Sequence, residues 1–290
     1  MSEKKGNEEI LSPSKLAWRN FKRHRLGVMG SLMVIILIFV SLFGAFIYPY
    51  DPLEMHPKES LRAPCAKYWL GTDRFGRDQL SRLMYGTKIS MLISFGAIAI
   101  AIVLGVFLGL ISGYYRGILD SIIMRLLDIV FAFPMLLLAL VLVAVLGPSL
   151  RNLLIAIGFI YHARFARIVR GSVLSVKEKE FIEGIRSVGA KDLTIILFFI
   201  LPNVLSPIIV QATFNLSTAI MLEAALSFLG LGTQPPMPSW GLMLNDSRRF
   251  MELAPWLAVF PGLAIIFAVL GFNLMGDALR DALDPRLSQR

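Results

Sequence analysis

EKEFIEGIRSVGAKDLTIILFFILPN, residues 178–203, is a charged and amphipathic insert in a chain that is otherwise mostly apolar, and its reading decides the fold. Phe181, Ile182, Ile185 and Val188 recur at the spacing of one helical face, while Lys179, Glu180, Glu183 and Arg186 occupy the other faces. Gly189 follows the last periodic residue, where a glycine takes up the left-handed conformation that closes a helix. Ala190, Lys191 and Asp192 can then start a second element at an angle. Pro202 lacks a backbone donor and disfavours helical geometry at Leu201, so a break is expected between the insert and the apolar run beyond it. The pattern predicts a short helix, a bend and a second helix, set between two membrane spans.

The chain has 290 residues, of which 56% are hydrophobic and 17% charged, and its mean hydropathy is +0.68. These values lie on the side of an integral membrane protein. The formal net charge of +9 does not point to nucleic acid, because Lys and Arg flank apolar runs instead of clustering on a polar face with exposed aromatics. A single cysteine, Cys65, excludes an intrachain disulfide and any multi-cysteine metal site. His24, His56 and His162 are scattered along the chain, so neither a metal site nor an activated nucleophile is expected. Gly86-Thr87-Lys88 lacks the upstream glycine of a phosphate-binding loop, which leaves any ATP hydrolysis to another chain. Asp73, Arg77 and Asp78, with no histidine beside them, read as a local salt-bridged turn.

The fold class expected is all-α, with six membrane helices at Gly27–Tyr48, Ile89–Gly113, Ile129–Leu146, Asn152–Ala163, Val204–Leu229 and Pro255–Met275. The first apolar run has no small-x-small cleavage site after it and is read as an anchor. Segment 51–88 carries Pro57, Pro64, Gly71, Gly76 and Gly86; turns are expected there, with one short amphipathic helix near Asp78–Tyr85 on the membrane surface. Gly96, Gly105 and Gly109 permit close helix packing in the second span, and Pro134 is a kink in the third. The fourth uncharged run is shorter than the ~17 residues usually needed to cross. It is counted as a span because otherwise the basic stretch holding Arg164, Arg167, Arg170, Lys177, Lys179, Arg186 and Lys191 would lie outside. With six crossings and both termini inside, 19 Lys and Arg fall on the inner side and 10 on the outer, together the 29 of the chain. The resulting division is a cytoplasmic segment 1–26, a first transmembrane helix 27–50, an extracytoplasmic segment 51–88, a five-helix core 89–276 and a cytoplasmic tail 277–290. Within the core lie a cytoplasmic loop 171–202 and an extracytoplasmic loop 230–254.

Polar side chains inside the spans are few. Gln211, Asn215 and Thr218 fall at i, i+4 and i+7 of the fifth span, on one face, where they either hydrogen-bond between helices or line a hydrated path. Glu223, counted from Val204 at about 1.5 Å per residue, is expected roughly 30 Å along, near the outer interface. It is either a wetted or hydrogen-bonded end residue or a substrate contact. So few intramembrane charges argue against ion-coupled transport.

Three segments resemble a known family. Glu183, Gly189 six positions on and Leu201-Pro202 match the loop signature of bacterial ABC-importer permeases, E-A-A, three residues, G, nine residues, I, one residue, L-P. Gly184 and Ile185 stand where that signature has alanines, and Phe199 where it has isoleucine; Gly184 lowers the helix propensity of the first arm. YWLGTDRFGRDQLSRLMYG at 68–86 and FNLMGDALRDALDPRL at 272–287 are similar to segments of the C-type permease of dipeptide, oligopeptide, glutathione and nickel importers. The resemblance implies a type I importer permease whose last five helices form the core, with the first packed peripherally. It implies a homologous B-type permease partner, two ABC ATPase subunits that carry the ATP and Mg, and an extracytoplasmic substrate-binding protein, in the bacterial plasma (inner) membrane. Contact with the ATPase falls on Glu180, Phe181, Glu183, Gly184, Ile185, Ser187, Gly189, Ala190 and Lys191, with Leu201 and Pro202 ending the loop. The loop GLGTQPPMPSWGLMLND after the fifth span, with Gln234, Pro235, Pro236 and Trp240, either faces the binding protein or is a rigid hairpin.

Overall fold

A stripe of glycines sets the geometry of the molecule. In the computed structural model, which describes residues 13–283, helix α3 runs unbroken from Gln79 to Tyr115. At about 1.5 Å per residue its 37 residues span roughly 55 Å, well beyond the ~30 Å hydrocarbon core. Helix α6, Leu150–Lys177, lies along it. A Cβ on Gly105 would sit 2.6 Å from the His162 carbonyl oxygen, one on Gly109 2.6 Å from that of Ala166, and one on Gly113 2.8 Å from Val173 Cβ. Only hydrogen fits there, so the two backbones approach closely and gain dispersion contacts that lipid does not supply. The close packing expected of the second span is met, and it extends one glycine further than expected, to Gly113, four residues on.

Two expectations about spans are corrected. The fourth crossing is not a short run ending at Ala163: α6 continues for 14 more residues through Arg164, Arg167 and Arg170. Arg170 forms a two-pronged pair with Asp120, both contacts 2.6 Å, and Arg167 reaches Asp128 at 2.7 Å. These acids lie on α4, Gly117–Ala132, so the first part of the basic stretch, through Lys177, is helix and not loop, with Arg167 and Arg170 held by that neighbouring helix. The third apolar segment does bend at Pro134, as expected, but its first arm starts at Gly117 and not near Ile129, and the bend is a full break. Phe133 is extended (φ −100°, ψ 140°) ahead of Pro134, as the steric restriction before proline demands, and α5, Met135–Leu146, leaves α4 at 94°.

Helix α2, Arg25–Phe43, continued by a 3-10 turn Gly44–Phe46, packs on α11, Trp256–Leu283, where Gly30 and Gly271 meet. Its other side, with Leu32, Ile35 and Leu42, is exposed, the peripheral placement expected of the first span. Helix α1, Pro13–Arg23, precedes it. The expected segments 1–26 and 277–290 fall partly outside the described residues.

The expected surface helix near Asp78–Tyr85 is instead the first two turns of α3. Asp78 caps α3, its carboxylate accepting from Ser81 N at 2.8 Å and Ser81 Oγ at 2.7 Å. Gly86 does not break the helix; it gives room for Trp240, whose Cδ1 would lie 3.4 Å from a Cβ there. At this end also lie α10, Trp240–Ser247, and the start of α11, to which Gln79 Nε2 donates at the Leu257 carbonyl. At the opposite end, the start of α2 meets the end of α11, His24 lying 3.5 Å from Asp281.

Candidate functional site

The insert forms at the Tyr114 end of the bundle. Helix α7, Glu180–Ser187, has Glu180 and Glu183 in its first turn and Arg186 in its last, charges that match the helix dipole. Gly189 (φ +84°) closes it: its N–H donates to the Arg186 carbonyl at 3.0 Å and the Ala190 N–H to that of Ile185 at 3.4 Å, the paired bonds of a glycine-ended helix. The bend expected at Gly189 is met. The apolar face predicted for α7 divides in two, however. Ile182 is fully buried and Ile185 and Ala190 partly so against the core, while Phe181 is exposed and Val188 is 84% exposed. Leu193, at the start of the second arm, is likewise 67% exposed and carried no periodic signal in the sequence. Gly184, Ser187 and Lys191 are also exposed, and a Cβ on Gly184 or Gly189 would meet nothing within 4 Å.

Pro202 does not separate the insert from the apolar run, a further correction. From Asp192 to Phe228 the chain stays helical: α8, Asp192–Thr194, a π turn at Ile195–Ile200, and α9, Leu201–Phe228. The proline ring clashes with the carbonyl four residues before it and offers no N–H. The wider π turn immediately upstream accommodates both effects, which an α turn does not.

Along α9 the polar stripe splits as well. Gln211 Nε2 donates to Asn215 Oδ1 at 2.7 Å, Thr218 Oγ1 to the Asn215 carbonyl at 3.1 Å. Asn215 is buried, whereas Gln211 lines an open cleft of about 580 Å³ with Asn203, Ser206 and Arg280.

At the Gln79 end, Glu223 is fully buried, not at a wetted interface. Its Oε1 accepts from Ser227 Oγ at 2.8 Å and its Oε2 has no partner. The loop after α9 folds back over it: Ser239 caps α10, and the Trp240 N–H donates to Ser90 Oγ at 3.4 Å. Trp240 is therefore a core residue and presents no surface to a partner, while Gln234, Pro235 and Pro236 are exposed. Around them the segment 57–82 is tied by charge. Asp73 holds the buried Arg77 at 2.6 Å and the buried Arg82 at 3.4 Å; Arg82 Nη1 donates to the Pro52 carbonyl. The salt-bridged turn expected of Asp73 and Arg77 is present, with Asp78 acting as a helix cap. Glu59, accepting from the Tyr68 hydroxyl and then from Lys67 Nζ at 2.9 Å, is held below the usual carboxylate range by those two bonds.

With this geometry in place, the family profile described as "Binding-protein-dependent transport system inner membrane component" matches residues 101–289. The chain belongs to that family of permeases. A second profile, the N-terminal TM domain of oligopeptide transport permease C, matches residues 12–64. The permease is 47% identical over 277 residues to the dipeptide transport system permease protein DppC of Alkalihalophilus pseudofirmus, covering 96% of this chain and 91% of the relative. It is 46% identical over 281 residues to the glutathione transport system permease protein GsiD of Escherichia coli O157:H7, with 97% and 93% covered. In fold, the permease is similar to a chain of the MetNI methionine ABC transporter in inward facing conformations, at a TM-score of 0.57 and 17% identity, covering 71% of this chain and 97% of that one. The family and fold that the three sequence segments imply are thus borne out.

Proposed function

We propose that this permease is one half of the translocation path of an ATP-driven importer of di- and oligopeptides, and that it is itself non-catalytic. The peptide reading rests on one observation, the 47% identity to a dipeptide permease along 96% of the chain. A glutathione importer is the second reading, supported by 46% identity to GsiD over a similar length. A homologous B-type permease supplies the other half of the path, a substrate-binding protein docks at the Gln79 end against the exposed Gln234, Pro235 and Pro236, and two ATPase subunits hold the ATP and Mg. The Tyr114 end, with α1 and the end of α11, faces the cytoplasm in accord with the excess of Lys and Arg assigned there.

ATPase docking falls on the insert, residues 178–192. Exposed Phe181, Val188 and Leu193 form an apolar surface on a polar segment beyond the spans, where no lipid tails cover it. ATP-driven closure of the ATPases moves α7 and opens the path outward; hydrolysis reverses it. Replacing Glu183 by Lys together with Gly189 by Pro is expected to abolish ATP-dependent uptake of labelled dipeptide while the permease stays inserted. Wild-type uptake by that double variant would falsify the docking assignment. Competition of dipeptide uptake by excess glutathione, measured in cells carrying the whole operon, separates the two substrate readings.

A further inference from the structure

Three parts of the insert converge on one side chain of α3. Tyr114, in the last turn of that helix, is buried. Its hydroxyl donates to Asp192 Oδ1 at 2.5 Å and accepts from Arg186 Nη2 at 3.4 Å. Its carbonyl accepts from Lys177 Nζ, whose ammonium also lies 4.9 Å from the ring centroid. The end of α6, the last turn of α7 and the first residue of α8 therefore meet at Tyr114. Arg116, two residues on, adds a 2.7 Å contact to Glu178 between α6 and α7.

A phenol suits this position for a definite reason. Its hydroxyl is donor and acceptor at once, so it bridges a carboxylate and a guanidinium without bringing a charge of its own into a buried place. Phenylalanine fills the same volume and can do neither. Helix α7 is otherwise lightly held, with Ile182 its one fully buried side chain among the described residues. Helix α3, by contrast, packs against α6 along the glycine stripe and begins in the ion-paired cluster around Asp73 and Arg82.

We infer that Tyr114 is a positioning residue that ties the α7–α8 insert to α3, so that displacement of the insert is passed to the long helix instead of being lost in bending at Gly189. This rests on the reading of the insert as the ATPase-docking face. The test uses the complete transporter reconstituted in proteoliposomes, and reads peptide taken up per ATP hydrolysed. Tyr114→Phe is expected to lower that ratio about tenfold, the value of one hydrogen bond to a charged group, with the ATPases still bound. Asp192→Ala, which removes the exposed acceptor altogether, should give the same loss, and the double variant no more than either single one. An unchanged ratio in either variant that folds, or losses that multiply in the double variant, overturns the inference. Docking is scored separately by cross-linking a Val188→Cys, Cys65→Ser permease to the ATPase with a bifunctional thiol reagent. No cross-link with Tyr114 intact sinks the docking reading itself; a cross-link with an unchanged ratio in Tyr114→Phe sinks only the role of Tyr114.

Discussion

The two ends of this permease are finished differently. At the Gln79 end, charged groups are buried and paired within the chain: Asp73 with Arg77 and Arg82, and Glu223 Oε1 with Ser227. At the Tyr114 end, Val188 and Leu193 stand in the open with nothing among the described residues to cover them. Buried ion pairs add little net stability but are costly to break, whereas uncovered apolar residues cost little until a partner covers them. One end thus carries its own buried ion pairs, and the other leaves apolar side chains in the open among the described residues.

Thermal unfolding of the permease in nanodiscs tests this difference between the two ends. The largest effect is expected from Asp73→Asn, which leaves two buried guanidiniums without their shared carboxylate; it should destabilise by about 3–5 kcal/mol. A melting temperature equal to wild type would mean that the end is not closed by charge. Glu223→Leu strands the Ser227 hydroxyl and comes next, at about 1–3 kcal/mol, with Glu223→Gln costing less because the amide still accepts.

Acidification should give a smaller change. The carboxyl of Glu59 titrates lower when folded than when unfolded, so its stabilising contribution is complete above the unfolded value of about 4.3 and is lost as pH falls through the lowered folded value. Glu59→Gln should flatten that part of the stability curve, read by the fluorescence of the exposed Trp69; an unaltered curve would remove Glu59 from the account. The least effect on unfolding, within about 0.5 kcal/mol, is expected for Val188→Ser with Leu193→Ser. The same pair should abolish co-purification of the ATPases, and a permease that retains them while losing stability would invert the comparison.

What the sequence made legible was local. Periodicity and Gly189 announced α7 and its bend, and the spacing of Gly96, Gly105 and Gly109 announced a close helix contact, because each depends on neighbours within a turn or two. What it hid depended on distant partners. Arg164, Arg167 and Arg170 cut the fourth apolar run short to the eye, yet Asp120 and Asp128, some 50 and 39 residues earlier, keep the helix going. Pro202 reads as a stop unless the π turn before it is known. Counting along α9 put Glu223 near water, since a count along one helix has no knowledge of a loop that returns to cover it.

The glycine stripe also answers a question of parity. Gly96 faces Leu154, Gly105 faces Phe165 and Gly113 faces Val173, so the pairing rises together along both helices, and α3 and α6 point the same way. A chain that leaves one rod at its far end and enters a second rod pointing the same way has to make the return journey in between. The only helices between them are α4 and α5, neither of which alone is long enough to make it. The right-angled pair together makes that return, and His24 beside Asp281 sets the described residues just before α2 and those closing α11 at the end of the bundle opposite Gln79.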